Sequence, residues 1–224
     1  MKQLLSIFLI YFGIQSFTMI NTKNTMLCLG DSYTIGEAVP ENETFPAQTI
    51  ELLKLKKMEF ETPVIVAKTG WTTDELQHAI TEKKIQHNFN YVTLLIGVNN
   101  QYRGRDTENY RKEFKELLNT AIGFANGNNT HVFVLSIPDW GVTPFGINDK
   151  RGEKTIGKEI DIFNTINKEE SLKAKVNYVD ITPVSRTAKT KPELIATDGL
   201  HPSGSMYKLW SEILAVEIQK ITHQ

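Results

Sequence analysis

Short apolar runs at residues 26–30, 64–67, 91–96, 131–137 and 176–181 constrain this chain more than any other feature. Val64-Ile65-Val66-Ala67 and Tyr91-Val92-Thr93-Leu94-Leu95-Ile96 are continuous and rich in β-branched residues. Runs of that kind read as strands covered on both faces, because a strand wet on one face alternates instead. Helical spacing separates them. Residues 46–58 carry Ala47, Ile50, Leu53 and Leu55, with Pro46 suited to a first turn. Thr72-x-x-Glu75 is a capping-box pattern opening a helix with Leu76, Ala79 and Ile80. Asp106 can cap a helix carrying Tyr110, Phe114, Leu117, Leu118, Ala121 and Ala125. Ile160, Phe163 and Ile166 mark another, and a last helix follows Pro202 with Met206, Trp210, Ile213, Leu214 and Ile221 on one side. Strand and helix in strict alternation predict an α/β fold: a three-layer α/β/α sandwich around a mainly parallel five-stranded sheet, with flavodoxin-like order 2-1-3-4-5.

With 224 residues, 40% of them hydrophobic, the chain suits one domain, expected over residues 21–224. A formal net charge of −1 with interspersed signs gives no basic stripe for nucleic acid. The sole cysteine, Cys28, sits inside an apolar run and reads as a small buried hydrophobe. Residues 1–20 stand apart. Lys2 precedes an apolar run from Leu4 to Ile14 that is short for a bilayer span, which needs about 20 residues. This segment reads as a secretory signal peptide with a weak cleavage region, or as an uncleaved hydrophobic N-terminal segment. The first reading predicts a secreted or periplasmic protein with no integral membrane anchor after processing; the second leaves a cytoplasmic one.

In open α/β sheets, ligands bind outside the carboxyl ends of the strands, and the unusual residues of this sequence fall there. Gly30-Asp31-Ser32 follows the first run, Gly70-Trp71 the second, Gly97-Val98-Asn99-Asn100 the third and Pro138-Asp139-Trp140 the fourth. Asp198-Gly199-Leu200-His201-Pro202 comes after the fifth. Acyl transfer by serine needs a base, a group that orients the base, and preorganised donors for the oxyanion. His201 is the one histidine with an acid three residues before it; His78, His87, His131 and His223 lie in helical, polar or terminal settings. Asp198 can reach its Nδ1–H and leave Nε2 for Ser32. The Ser32 and Gly70 N–H groups and the Asn99 amide are candidate oxyanion donors, although each of these residues alone also suits an ordinary turn.

Taken together, Gly30-Asp31-Ser32, Gly70, Gly97-Val98-Asn99 and Asp198-Gly199-Leu200-His201 resemble, in order, the four blocks of the SGNH/GDSL hydrolase family. The resemblance spans about residues 26–220. It implies metal-free and cofactor-free hydrolysis of a small-molecule ester, with Ser32 as nucleophile, His201 as base, Asp198 as its partner, and Ser32, Gly70 and Asn99 as the oxyanion hole. Two positions depart from the family pattern: Tyr33 stands where Leu is usual, and Asn100 where Asp often follows. Trp71, Trp140 and Phe145 are expected to line an acyl or sugar pocket, and residues 138–157 to form a long loop near it. The substrate is left open among a small ester, an acetylated carbohydrate and a lysolipid.

Other chemistries fit poorly. Gly30 and Gly36 do not make G-x-G-x-x-G, and no Gly-Lys-Ser/Thr is present for a phosphate. Only His201 sits near the expected edge, too few ligands for a metallophosphoesterase. A catalytically silent glycan- or lipid-binding member of the same fold is the remaining rival.

Overall fold

Continuous apolar strands pair side by side only if both faces are then covered, and that is how the chain folds. The computed structural model describes residues 23–85 and 88–222. The segment read as a signal peptide, residues 1–20, lies outside them, as do His87 and His223. Strands β1 (Met26–Gly30), β2 (Val64–Ala67), β3 (Tyr91–Leu95), β4 (Val132–Leu135) and β5 (Asn177–Val179) form one sheet in the order β2-β1-β3-β4-β5. All pairings are parallel, as expected from the sequence. β1, β3 and β4 are buried along their whole length, while the edge strands β2 and β5 are partly exposed.

The helices are α1 (Ser32–Ile35), α2 (Phe45–Lys54), α3 (Thr73–Lys83), α4 (Val98–Tyr102), α5 (Thr107–Phe124), α6 (Pro144–Ile147), α7 (Glu153–Ala174), α8 (Thr182–Arg186) and α9 (Gly204–Thr222). α2 packs on α9 over one face of the sheet, and α5 packs between α3 and α7 over the other. The capping signals act as read: Glu75 Oε2 accepts the Thr72 N–H at 2.9 Å, and Asp106 Oδ1 accepts the Asn109 N–H at 2.8 Å. Cys28 is fully buried, and burial pushes its thiol up to about 12, so it packs as a hydrophobe.

Two readings need correction. The helix expected over 46–58 stops at Lys54; Leu55 is 80% exposed and Lys57 has φ +64°, so the chain has already turned. The segment 138–157 is not a loose loop. It holds a 3-10 turn and α6, capped by Thr143, and it runs directly into α7.

What ends β1 is a matter of space. A Cβ on Gly30 would lie 2.1 Å from Thr34 Oγ1 and 2.4 Å from the Leu95 carbonyl oxygen. Only glycine lets β1 pass β3 and enter α1 at once. Gly30→Ala is therefore expected to cost about 1–3 kcal/mol of folding stability through overpacking. Chemical denaturation checks this: the midpoint falls while the m-value holds.

Candidate active site

Asp31 caps α1 by accepting the Tyr33 N–H at 3.0 Å, which puts Ser32 at the first helical position with its hydroxyl turned to the strand edge. The segment before α9 meets it there. Asp198 Oδ1 accepts the N–H groups of Leu200 and His201, each at 2.9 Å, with Gly199 at φ +73° closing the turn. This turn delivers the His201 ring: Nδ1 lies 2.6 Å from Asp198 Oδ2, and Nε2 lies 3.0 Å from Ser32 Oγ. A carboxylate on Nδ1 favours the tautomer that carries its proton there and leaves Nε2 free to accept. The Tyr33 ring packs against the imidazole, with centroids 5.4 Å apart.

The other two segments are bonded to each other. Trp71 N–H closes a turn onto the Lys68 carbonyl at 3.2 Å, with Gly70 at φ +85° in its third position, the place a type II turn reserves for glycine. Asn99 Nδ2 donates to the Trp71 carbonyl at 2.9 Å and approaches Asp31 Oδ2 at 3.5 Å. Asn100 is buried. Its Oδ1 accepts the Thr73 N–H at 3.1 Å, and its Nδ2 donates to Thr73 Oγ1 at 2.7 Å.

Ser32, Gly70, Asn99 and His201 share the wall of one cavity of about 200 Å³, with Asp198 behind His201. Trp140 and Phe145 line it as well; Trp71 does not. The Trp71 side chain is half-buried against the core, and its contribution here is its backbone carbonyl. Tyr102, not singled out in the sequence, completes an aromatic wall, its ring centroid 5.4 Å from that of Trp140 and 6.3 Å from that of Phe145. Arg151 backs this wall: held by both oxygens of Asp149, its guanidinium lies 4.9 Å from the Trp140 ring and 5.2 Å from the Tyr102 ring. Larger surface clefts, beside α2 and between α4 and α7, contain neither Ser32 nor His201. Among the described residues no group of three His, Cys, Asp or Glu is placed to hold a metal ion, and no helix is long and apolar enough to cross a membrane.

The two acids of the site sit in opposite environments. Burial works to raise the Asp198 carboxyl, but the His201 ring and the Leu200 and His201 N–H groups outweigh it and hold the group below its ordinary value. Asp31 is wholly buried with no cation beside it, and burial raises it from 3.8 to about 7 despite the backbone N–H groups that oppose the shift.

The sequence matches the GDSL-like Lipase/Acylhydrolase family over residues 28–209, and the chain belongs to that family. It is therefore one of a class of hydrolases that act on ester bonds. No match was found among curated proteins. Solved structures share the fold at low identity. A psychrotrophic esterase, EstA, from Pseudoalteromonas sp. is 14% identical with a TM-score of 0.65, covering 90% of this chain and 100% of that one. A lipase/acylhydrolase from Enterococcus faecalis is 18% identical with a TM-score of 0.66, covering 88% and 96%. The acetylxylan esterase Axe2 from Geobacillus stearothermophilus is 17% identical with a TM-score of 0.67, covering 87% and 94%.

Asp31 has a consequence for stability. A carboxyl whose folded pKa lies above its unfolded value binds its proton more tightly when folded. Its contribution is complete below about pH 4 and is lost as pH rises through about 7. Asp31→Asn keeps the acceptor for the Tyr33 N–H and removes the titration. The variant is expected to gain on the order of 2 kcal/mol relative to wild type between pH 5 and pH 8. Denaturation at both pH values measures it, and parallel pH profiles for the two proteins would contradict it.

Proposed function

We propose that this chain is a metal-independent serine esterase that cleaves carboxylic esters carrying a small acyl group. The observation that carries the reading is the aligned series Asp198 Oδ2, His201 Nδ1, His201 Nε2 and Ser32 Oγ, joined at 2.6 Å and 3.0 Å. In this mechanism Ser32 Oγ attacks the ester carbonyl as His201 Nε2 takes its proton, and Asp198 steadies the imidazolium. The oxyanion forms against the Ser32 N–H, the Gly70 N–H and the Asn99 amide. His201 then returns the proton to the alkoxide, which leaves as the alcohol. Water, deprotonated by the same nitrogen, releases the acid from the acyl-Ser32 ester and restores the hydroxyl.

The size of the site supports the substrate. A cavity of about 200 Å³ walled by Trp140, Tyr102 and Phe145 is small beside ordinary ligand pockets of about 300–1,000 Å³. It suits an acetyl-sized acyl group better than a fatty chain, and within the substrates left open by the sequence it favours a small ester or an acetylated carbohydrate over a lysolipid. That one structural neighbour is named an acetylxylan esterase fits this preference, although 17% identity carries the fold alone. The basic, apolar start at residues 2–14 supports export of the domain at 21–224.

Purified protein lacking residues 1–20 is expected to hydrolyse p-nitrophenyl acetate faster than the octanoate, with no effect of EDTA. Ser32→Ala is expected to abolish turnover while leaving thermal unfolding unchanged; esterase activity surviving in that variant would remove Ser32 from the mechanism. Asn99→Ala is expected to lower kcat about 100-fold, the usual cost of one oxyanion donor. An unchanged kcat there would leave the oxyanion to backbone groups.

A further inference from the structure

We propose that Arg103 is a positioning residue that clamps the Gly70 turn to α4, so that two oxyanion donors from different strands are held as one unit. The proposal rests on the esterase reading above. Arg103 directly follows α4, the helix that carries Asn99. Its Nη2 donates to the Gly70 carbonyl at 2.6 Å, and its Nη1 to Glu75 Oε1 at 3.2 Å. The other oxygen of Glu75 accepts the Thr72 N–H at 2.9 Å. One guanidinium therefore grips the Gly70 peptide directly and, through the cap of α3, the residues that follow it.

The half-exposed Arg103–Glu75 ion pair contributes little by itself, because solvent screens it. The bond to the Gly70 carbonyl is different: it is short, charge-assisted and directed at backbone. It also falls where the chain most needs it. Gly70 has positive φ and no Cβ, so its flanking peptides rotate more cheaply than those of any other residue. Neighbouring bonds hold the segment on either side of it: Thr69 Oγ1 donates to Glu37, Asn99 holds the Trp71 carbonyl and Asn100 holds Thr73. Among these side chains Arg103 is the one that bonds to Gly70 itself. A donor must point at the place where the oxyanion forms, and a misplacement of about 1 Å is costly in rate. Arg103 acts by keeping the Gly70 N–H and the Asn99 amide at a fixed spacing, without touching the reacting atoms.

The test uses Arg103→Gln, a polar side chain that cannot serve both acceptors, and combines two readouts. Amide hydrogen exchange over residues 69–73 is expected to speed at least about ten-fold in the variant, with the rest of the chain unchanged. In p-nitrophenyl acetate hydrolysis, kcat is expected to fall about ten-fold or more with KM within two-fold. Placed on Asn99→Ala, the same substitution is expected to cost clearly less than it does alone, because both act through one unit. Unchanged exchange in that segment would overturn the clamp, and faster exchange with kcat within two-fold would overturn its role in positioning. Wild-type turnover that is absent, or that survives Ser32→Ala, would instead remove the esterase reading. The exchange measurement would still decide whether Arg103 holds the turn.

Discussion

The site depends on the register of three strands. Gly30 at the end of β1 stands level with Ala67 on β2 and Leu95 on β3. Ser32, Gly70 and Asn99 each lie a few residues past that line, so they arrive at one edge from three different parts of the sequence. The sheet order puts β1 between β2 and β3, where successive connections leave toward opposite sides and open a crevice. Sliding any one strand by a residue would turn its buried side chains to the other face. The core that fixes the sheet therefore also fixes the spacing of the site, and the short helices α1 and α4 inherit it.

Two carboxylates near Ser32 illustrate how environment, not residue type, assigns a role. Asp198 is partly exposed and accepts three hydrogen bonds from its own turn, which favour its charged form. Asp31 is wholly buried, and its backbone N–H groups and the long 3.5 Å contact from the Asn99 amide do not offset that burial, so its charged form is disfavoured. Its position is nevertheless built in. It caps α1, and it lies 3.5 Å from the Asn99 amide, so the residue that starts the helix of Ser32 also borders a residue of the facing strand end.

The strands, their order and the Ser32, Asp198 and His201 pattern could all be read from the sequence, for identifiable reasons. Strands buried on both faces leave continuous apolar runs, and an acid three residues before a histidine lies within reach of a single turn. Leu55 misled because helical spacing continues past the point where the backbone turns; its exposure is visible only once α2 is packed on α9. Trp71 misled in another way: its place beside Gly70 located the edge but not which of its atoms faces Asn99. Tyr102 and Arg103 left no sequence signal. Arg151 stands beside Lys150 and Lys154 in the sequence, and only the folded chain sets it against Tyr102 and Trp140. Residues 138–157 carry no long periodicity because their order comes from caps and single bonds. Among these are Asp139 to the Gly141 N–H and to Arg186, and the Phe145 N–H to the Gly199 carbonyl.

The two departures from the family pattern become intelligible against this frame. Tyr33 is larger than the usual leucine, yet it is almost wholly buried, with its ring tilted against both His201 and Trp210. Its bulk fills the space behind the imidazole and limits the directions in which that ring can swing. Asn100 replaces a residue that would bring charge. Its amide donates to Thr73 Oγ1, which frees the threonine hydroxyl to donate to Glu113. An aspartate here would offer no N–H, so the hydroxyl would have to serve two acceptors with one proton. It would also add another buried carboxyl to the strand edge that already holds Asp31 and Asp139, and burying a further charge is costly. The neutral amide keeps the bond between the two segments without adding a charge to the crevice beside Asp198, whose charged form is favoured.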